Sequence, residues 1–106
     1  MAIYEIDESE FEDIKLQETQ KGRFVIVKFG TELCDGCQAL DFELEELEDD
    51  ADISILSLDC NESEALTEAY DIYMVPTILI YNPKNELIFR HEGVILYQDI
   101  YEIINK

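Results

Sequence analysis

Cys34 and Cys37 are separated by two residues, Asp35 and Gly36, a spacing that lets two thiols close one small disulfide ring. Thiol–disulfide exchange begins with attack by a thiolate, so this chemistry needs a place where a thiolate is favoured. The flanking residues supply one. The apolar run Phe24-Val25-Ile26-Val27, continuing through Lys28-Phe29, stops shortly before the pair, and a long charged helical pattern follows it. Cys34 therefore falls where a strand ends and a helix begins. There, unpaired backbone N–H groups and the positive end of the helix dipole favour negative charge. On this reading Cys34 is the nucleophile and the more exposed sulfur, and Cys37, one turn later, resolves the mixed disulfide. The competing readings are a dithiol without catalytic role and half of a metal site. Zinc would need two further ligands, and the only other Cys or His, Cys60 and His91, are expected away from this loop. No metal and no bound cofactor are expected.

The elements that position the pair follow from periodicity. Residues 2–6 read as a short strand. Asp7 or Ser9 caps a helix over about 9–20 with Phe11, Ile14 and Leu16 as its apolar side, and Lys21-Gly22 ends it. Residues 23–29 are almost continuously apolar, as a central strand buried on both faces should be, with Lys28 as the interruption. A helix over 35–49 places Cys37, Leu40, Leu44 and Leu47 on one side and Asp41, Glu43, Glu45, Glu46 and Glu48 on the other. Asp49-Asp50 near its C-terminus opposes the dipole. Residues 53–59 form a third strand, and Asn61 with Glu64 suggests a capping box for the next helix. Strands over 77–81 and 86–91 flank the turn Asn82-Pro83-Lys84-Asn85 and make an antiparallel hairpin that Gly93 breaks. A helix over 97–105 then buries Ile100, Ile103 and Ile104. The order βαβαβαββα implies right-handed crossovers with helices on both faces of one sheet.

Composition sets limits on function. The chain has 106 residues and 47% apolar residues, enough for a single domain over residues 1–106 with one core. Its net charge is −19, from 7 basic and 26 acidic residues, which argues against nucleic acid or an anionic membrane as partner. The acidic surface either serves solubility or steers the protein toward basic clients. No apolar run reaches the length of a membrane span. The first residues, Met1-Ala2-Ile3-Tyr4-Glu5-Ile6-Asp7, lack the basic and apolar regions of a signal peptide, so a cytoplasmic home is the default expectation. Three cysteines fit a cytosolic dithiol with one spare thiol, Cys60, better than a secreted disulfide framework.

The strand, the Cys34-Asp35-Gly36-Cys37 dithiol, the following helix and Val75-Pro76-Thr77 downstream together resemble the thioredoxin family. Tyr70-Asp71-Ile72 and Gly93 also fall where family residues fall, and the resemblance runs from about residue 3 to 105. It implies an α/β thioredoxin fold, a mixed five-stranded sheet flanked by four helices, in which a cis-Pro76 faces the dithiol. It further implies a thiol–disulfide oxidoreductase acting on disulfide-containing client proteins. Leu33, Asp35, Gly36, Val75, Pro76 and Gly93 would form the client-binding rim. Electrons would come from an NADPH-dependent flavoprotein reductase, and the protein would act as a monomer. Departures from the family pattern are Leu33 for the usual Trp, Asp35-Gly36 for Gly-Pro, and Gln38 for a basic residue. Lys28 replaces the family's buried Asp six residues before the first cysteine, and Ser57 stands for its lysine partner.

Lys28 is thus a further catalytic candidate. A charged Lys28 would stabilise a thiolate, and a neutral one would accept the Cys37 proton. Equally, its ammonium reaches water or pairs with one of the many acids. Asp35 either disfavours thiolates by its charge or is simply a helix-start acid. Pro76 either offers Val75 backbone to an extended client or only shapes its loop. Cys60 reads as a small buried hydrophobe, His91 as exposed, and Tyr73 and Met74 as apolar surface in place of the missing Trp. The alternative of another class is a thioredoxin-fold adaptor whose dithiol is incidental, or a redox partner dedicated to one enzyme.

Overall fold

The computed structural model describes residues 3–105. Five strands form one sheet in the order β1-β3-β2-β4-β5. They are β1 (Ile3–Glu5), β2 (Phe24–Gly30), β3 (Ile53–Asp59), β4 (Thr77–Tyr81) and β5 (Leu87–Glu92). Between them lie a 3-10 turn over Glu8–Glu10 and the helices α1 (Phe11–Gln20), α2 (Asp35–Glu45), α3 (Glu64–Ala69) and α4 (Tyr97–Ile103). β3 runs parallel to both β1 and β2, whereas β4 is antiparallel to β2 and to β5. The sheet is therefore mixed and flanked by four helices, as the sequence implied. Residue 2 of the expected first strand lies outside the described residues. No described helix is long and apolar enough to cross a membrane.

Strand alternation sorts the core into two layers. Val25, Val27 and Phe29 of β2 point to one face, where they meet Phe11 of α1, Leu56, Leu58 and Leu79. Ile26 points to the other face, with Leu40 and Leu44 of α2 and Ile100 and Ile104 at α4. Lys28 and Gly30 share the parity of Ile26, so they too face α2. On β3 the same parity carries Ile53 and Ile55 in the core and then Ser57, the register partner of Lys28. The α2 face is thus apolar at one end of the sheet and polar at the end where β2 runs out toward the dithiol.

Helix α1 turns a different face inward than its apolar residues suggest. Phe11, Lys15, Glu18 and Thr19 are buried, whereas Leu16 is exposed. Positions 11, 15, 18 and 19 lie on one side of a helix, and position 16 does not. Lys15 tolerates burial because its ammonium sits 4.1 Å from the centroid of the Tyr81 ring and 5.1 Å from that of Phe11, with Glu12 at 3.3 Å. Helix α2 ends at Glu45, short of the expected residue 49. The next bonds, Glu46 N–H to Glu43 O and Leu47 N–H to Leu44 O, tighten into three-residue turns, where a run of acids meets the negative end of the dipole. Ile103 is only half-buried, unlike Ile100 and Ile104.

The expected Asn61–Glu64 capping box is absent. Ser63 begins α3 without a side-chain cap, and the Asn61 N–H donates to Asp59 Oδ1 at 2.8 Å. The cap comes from across the chain: Glu8 Oε1 accepts the Leu66 N–H at 3.0 Å. Likewise Glu43 of α2 accepts the Tyr97 N–H at the start of α4, also at 3.0 Å. Two carboxylates therefore serve helix N-termini of other elements, where both the donors and the dipole favour them. Asp7 caps the first turn as expected, and Gly22 at φ 82° closes α1.

At the start of β2, Glu18 accepts from Lys21 at 2.9 Å and Arg23 at 2.7 Å. Burial alone would raise its carboxyl, but those two hydrogen bonds hold it below its ordinary value of 4.5. A lowered folded-state value stabilises the fold above the unfolded value and is lost as pH falls through the folded one. Glu18→Gln is expected to cost about 1 kcal/mol at neutral pH. Urea midpoints should show that cost shrinking as the pH is taken below the ordinary carboxylate range.

Candidate functional site

Cys34 is the N-cap residue of α2, in extended backbone conformation at φ −146° and ψ 105°. Its Sγ occupies the place where a capping oxygen usually sits and accepts the Cys37 N–H at 3.0 Å. The two cysteines form a disulfide with Cα atoms 5.2 Å apart. Cys34 is half-buried and Cys37 is 3% exposed. The outer sulfur is therefore the one a second molecule can reach, and it lies at the positive end of the helix. Asp35 is exposed in the first turn, beside the ring.

Two glycines let the ring sit where it does. A Cβ on Gly30 would lie 3.0 Å from Cys37 Sγ and 3.3 Å from Lys28 Cε. A Cβ on Gly36 would lie 3.1 Å from Cδ of Pro76 and 4.0 Å from Val94 Cγ2. The Val75–Pro76 peptide bond is cis. Pro76 thus packs directly on the dithiol ring through Gly36, and Val75 beside it is half-buried. The Pro76 carbonyl accepts the Gly93 N–H at 2.8 Å, and Gly93 at φ 95° makes the bend after β5 that allows it. Thr77 Oγ1 donates to the Met74 carbonyl, closing the loop from within. Arg90 on β5 donates to the Tyr70 carbonyl and, at 2.7 Å, to that of Asp71, where the chain passes through φ 54°. The loop before Pro76 is therefore held from three sides.

Beneath the dithiol an open cleft of about 330 Å³ is lined by Lys28, Gly30, Cys37, Asp41, Ser57 and Asp59, with further acids at its mouth. Lys28 is 9% exposed, and its Nζ meets Asp41 Oδ1 at 2.7 Å. Asp41 lies one turn beyond Cys37 on α2, so it faces the sheet rather than only the solvent. The acids of α2 were expected on the face away from the core; Asp41 and Glu43 both turn toward partners. Leu33 is 99% exposed and Tyr73 86%, and Met74 and Val94 also stand open. Together they give the dithiol an apolar rim.

The structure brings Cys34, Cys37, Asp35, Gly36, Pro76 and Gly93 together, with Leu33 and Val75 at their edge and Lys28 below. Cys60 is half-buried at the base of the loop, where its N–H donates to the Gly30 carbonyl at 2.9 Å. Burial pushes its thiol up. His91 was expected to be exposed but is half-buried, stacked on Phe89 and within 3.2 Å of the Val94 carbonyl. Among the described residues no cluster of His, Cys, Asp or Glu has the arrangement of a metal site. Residues of the site that escaped sequence reasoning include Gly30, Asp41, Val94 and Arg90. Gly30 carried a signal, because glycine at the end of a strand marks close approach of another group. Asp41, four residues after Cys37, carried a weaker one, and Arg90 carried none.

The thioredoxin family model matches residues 2–106. Among solved structures, a chloroplastic thioredoxin z superposes with a TM-score of 0.83 at 25% identity, over 99% of this chain and 93% of that one. No curated protein sequence matches the chain significantly.

Gly30→Ala tests the close packing. The added Cβ must displace Cys37 Sγ or Lys28, with an expected cost of about 1–3 kcal/mol and a slower closure of the disulfide. Urea unfolding and thiol-loss kinetics under a glutathione buffer would report both. An alanine variant matching the parent in both would show that the sulfur moves aside freely.

Proposed function

The chain belongs to the thioredoxin family, and from that premise we propose that it reduces client-protein disulfides through Cys34 and Cys37. The fold with this cysteine pair supports thiol–disulfide oxidoreductase chemistry in general. The observation that carries the finer reading is the asymmetry of the pair: a reachable Cys34 sulfur at the α2 N-cap, and a buried Cys37 sulfur next to it.

In the reduced protein the Cys34 thiolate attacks one client sulfur, forming an S–S bond to it while the client's second sulfur leaves as thiolate and takes a proton. Cys37, deprotonated, then attacks Cys34 Sγ. That step re-forms the Cys34–Cys37 disulfide and releases the client's first sulfur as thiolate. Two electrons pass to the client. The helix N-terminus lowers the cost of the first thiolate. The apolar rim of Leu33, Tyr73 and Met74, with Val75-Pro76 beside it, gives an extended client segment a surface to lie on. The reading includes an NADPH-dependent flavoprotein reductase as electron donor, a monomer and a cytoplasmic setting. These rest on the family resemblance and the odd cysteine count. The test is dithiothreitol-driven reduction of insulin disulfides, in which the parent should exceed the blank and Cys34→Ser should not. A parent no faster than the blank would remove the general-reductant reading.

A narrower client range is the second reading. It is favoured by the open Leu33 in place of the family's Trp and by the thioredoxin z neighbour, whose structure is described as defining a type-specific target recognition. Lys28 belongs to the same proposal. Its ammonium stem shares the space over Gly30 with Cys37 Sγ, and its partner Asp41 is on the same helix as Cys37. We expect it to favour the Cys37 thiolate in the resolving step by charge. Lys28→Met removes the cation whose stem shares the space over Gly30 with the sulfur, so the buried thiol should titrate higher. A thiolate-absorbance titration overlaying the parent curve would remove Lys28 from the mechanism.

A further inference from the structure

Resting on the reductase reading, we propose that this dithiol face selects disulfides set in basic polypeptide segments. The basis is where the charges of each sign are placed.

Among the described residues every cation is buried, already engaged, or far from the dithiol. Lys15 lies buried against the Phe11 and Tyr81 rings. Lys21 and Arg23 are bound to Glu18 at the start of β2, the end opposite Gly30. Lys28 is buried on Asp41. Lys84 is in the β4–β5 turn, reached by the end of β4 that runs away from Pro76. Arg90 is held on the Tyr70 and Asp71 carbonyls. The acids are distributed otherwise. Glu32 and Asp35 flank Leu33-Cys34 and are exposed. Glu62 and Asp59 border a second hollow with Glu32 and Leu33. Glu92 is exposed on the other side, next to the Gly93 that binds Pro76.

The reactive sulfur therefore sits in an apolar patch with carboxylates on both sides, and the exposed described cation on that side, Arg90, is turned onto the Tyr70 and Asp71 carbonyls. The apolar residues accept many sequences, whereas the carboxylates discriminate by sign. A client with lysine or arginine beside its disulfide is drawn to this rim, and an acidic client is repelled. The occupant is settled by the same field. A second copy of this chain carries −19, and an anionic bilayer is likewise repelled, so neither suits the patch. Such selection acts mainly on encounter, so it is strongest at low ionic strength.

The experiment uses the full chain, reduced and freed of excess reductant, with three synthetic peptides. The peptides share one internal disulfide loop and carry lysine, glutamine or glutamate flanks. Second-order reduction rates are read at low salt and again near 1 M salt, where the Debye length is about 3 Å. The lysine-flanked peptide is expected to react about tenfold faster than the glutamate-flanked one at low salt, and the gap should close at high salt. In Glu32→Lys/Glu62→Lys the low-salt preference should shrink or reverse. Equal rates for the two charged peptides, with the glutamine-flanked peptide reduced, would overturn the selection and leave the reductase reading standing. A preference that survives high salt would also overturn it, since contact rather than charge would then be the cause. No reduction of any of the three would overturn the reductase reading, and the selection with it.

Discussion

Gly30 leaves the inner sulfur of the dithiol the space it occupies. The last residue of β2 and the first turn of α2 approach so closely that a single added carbon would touch the inner sulfur. That approach fixes where the helix starts, and with it which backbone N–H groups point at Cys34. Gly36 repeats the constraint one layer out, where the ring meets Pro76. The Gly93 N–H then holds the Pro76 carbonyl, and Arg90 holds the chain that leads into that loop. The dithiol is held by absent side chains as much as by present ones.

Much of this was legible in the sequence. A continuously apolar run, two cysteines at its end, and a Val-Pro-Thr downstream specify a strand, a helix start and a facing loop. Strand parity alone puts Lys28 on the α2 side of the sheet once Ile26 is known to face that way. What could not be read were partners distant along the chain. Glu8 caps α3 and Glu43 caps α4, each from more than 50 residues away. In both cases the local pattern pointed elsewhere, to Asn61 for one and to a solvated helix face for the other. The apolar side read for α1 failed at Leu16 for a related reason, since Lys15 is buried in its stead. A lysine in a helix reads as surface until one knows that two aromatic rings converge on it.

Lys28 shows how a charge inversion at a buried position can be accommodated. Strand β2 offers a slot under the dithiol for one polar side chain, with Ser57 as its neighbour on β3. An ammonium there cannot remain unpaired at low cost. Asp41 answers it from α2, close enough for a charge-assisted hydrogen bond and open enough to keep partial hydration. The pair ties the helix that carries both cysteines to the strand beneath it. Its net charge is small, yet its two ends are not equivalent to the inner sulfur, because the lysine stem and that sulfur border the same point above Gly30.

An excess of 19 negative charges would be expected to strain a fold of this size. The strain is limited by where the carboxylates are placed. Several stand at helix N-termini, where they are stabilising, and most of the rest are in water. Most of the described cations lie in the interior or at the end of the sheet away from the dithiol, and Arg90, exposed on the dithiol side, is turned onto the Tyr70 and Asp71 carbonyls. Protein stability and surface potential are thereby set by different residues. The core and the two glycines determine that a dithiol is presented, and the uncompensated rim determines which disulfides meet it.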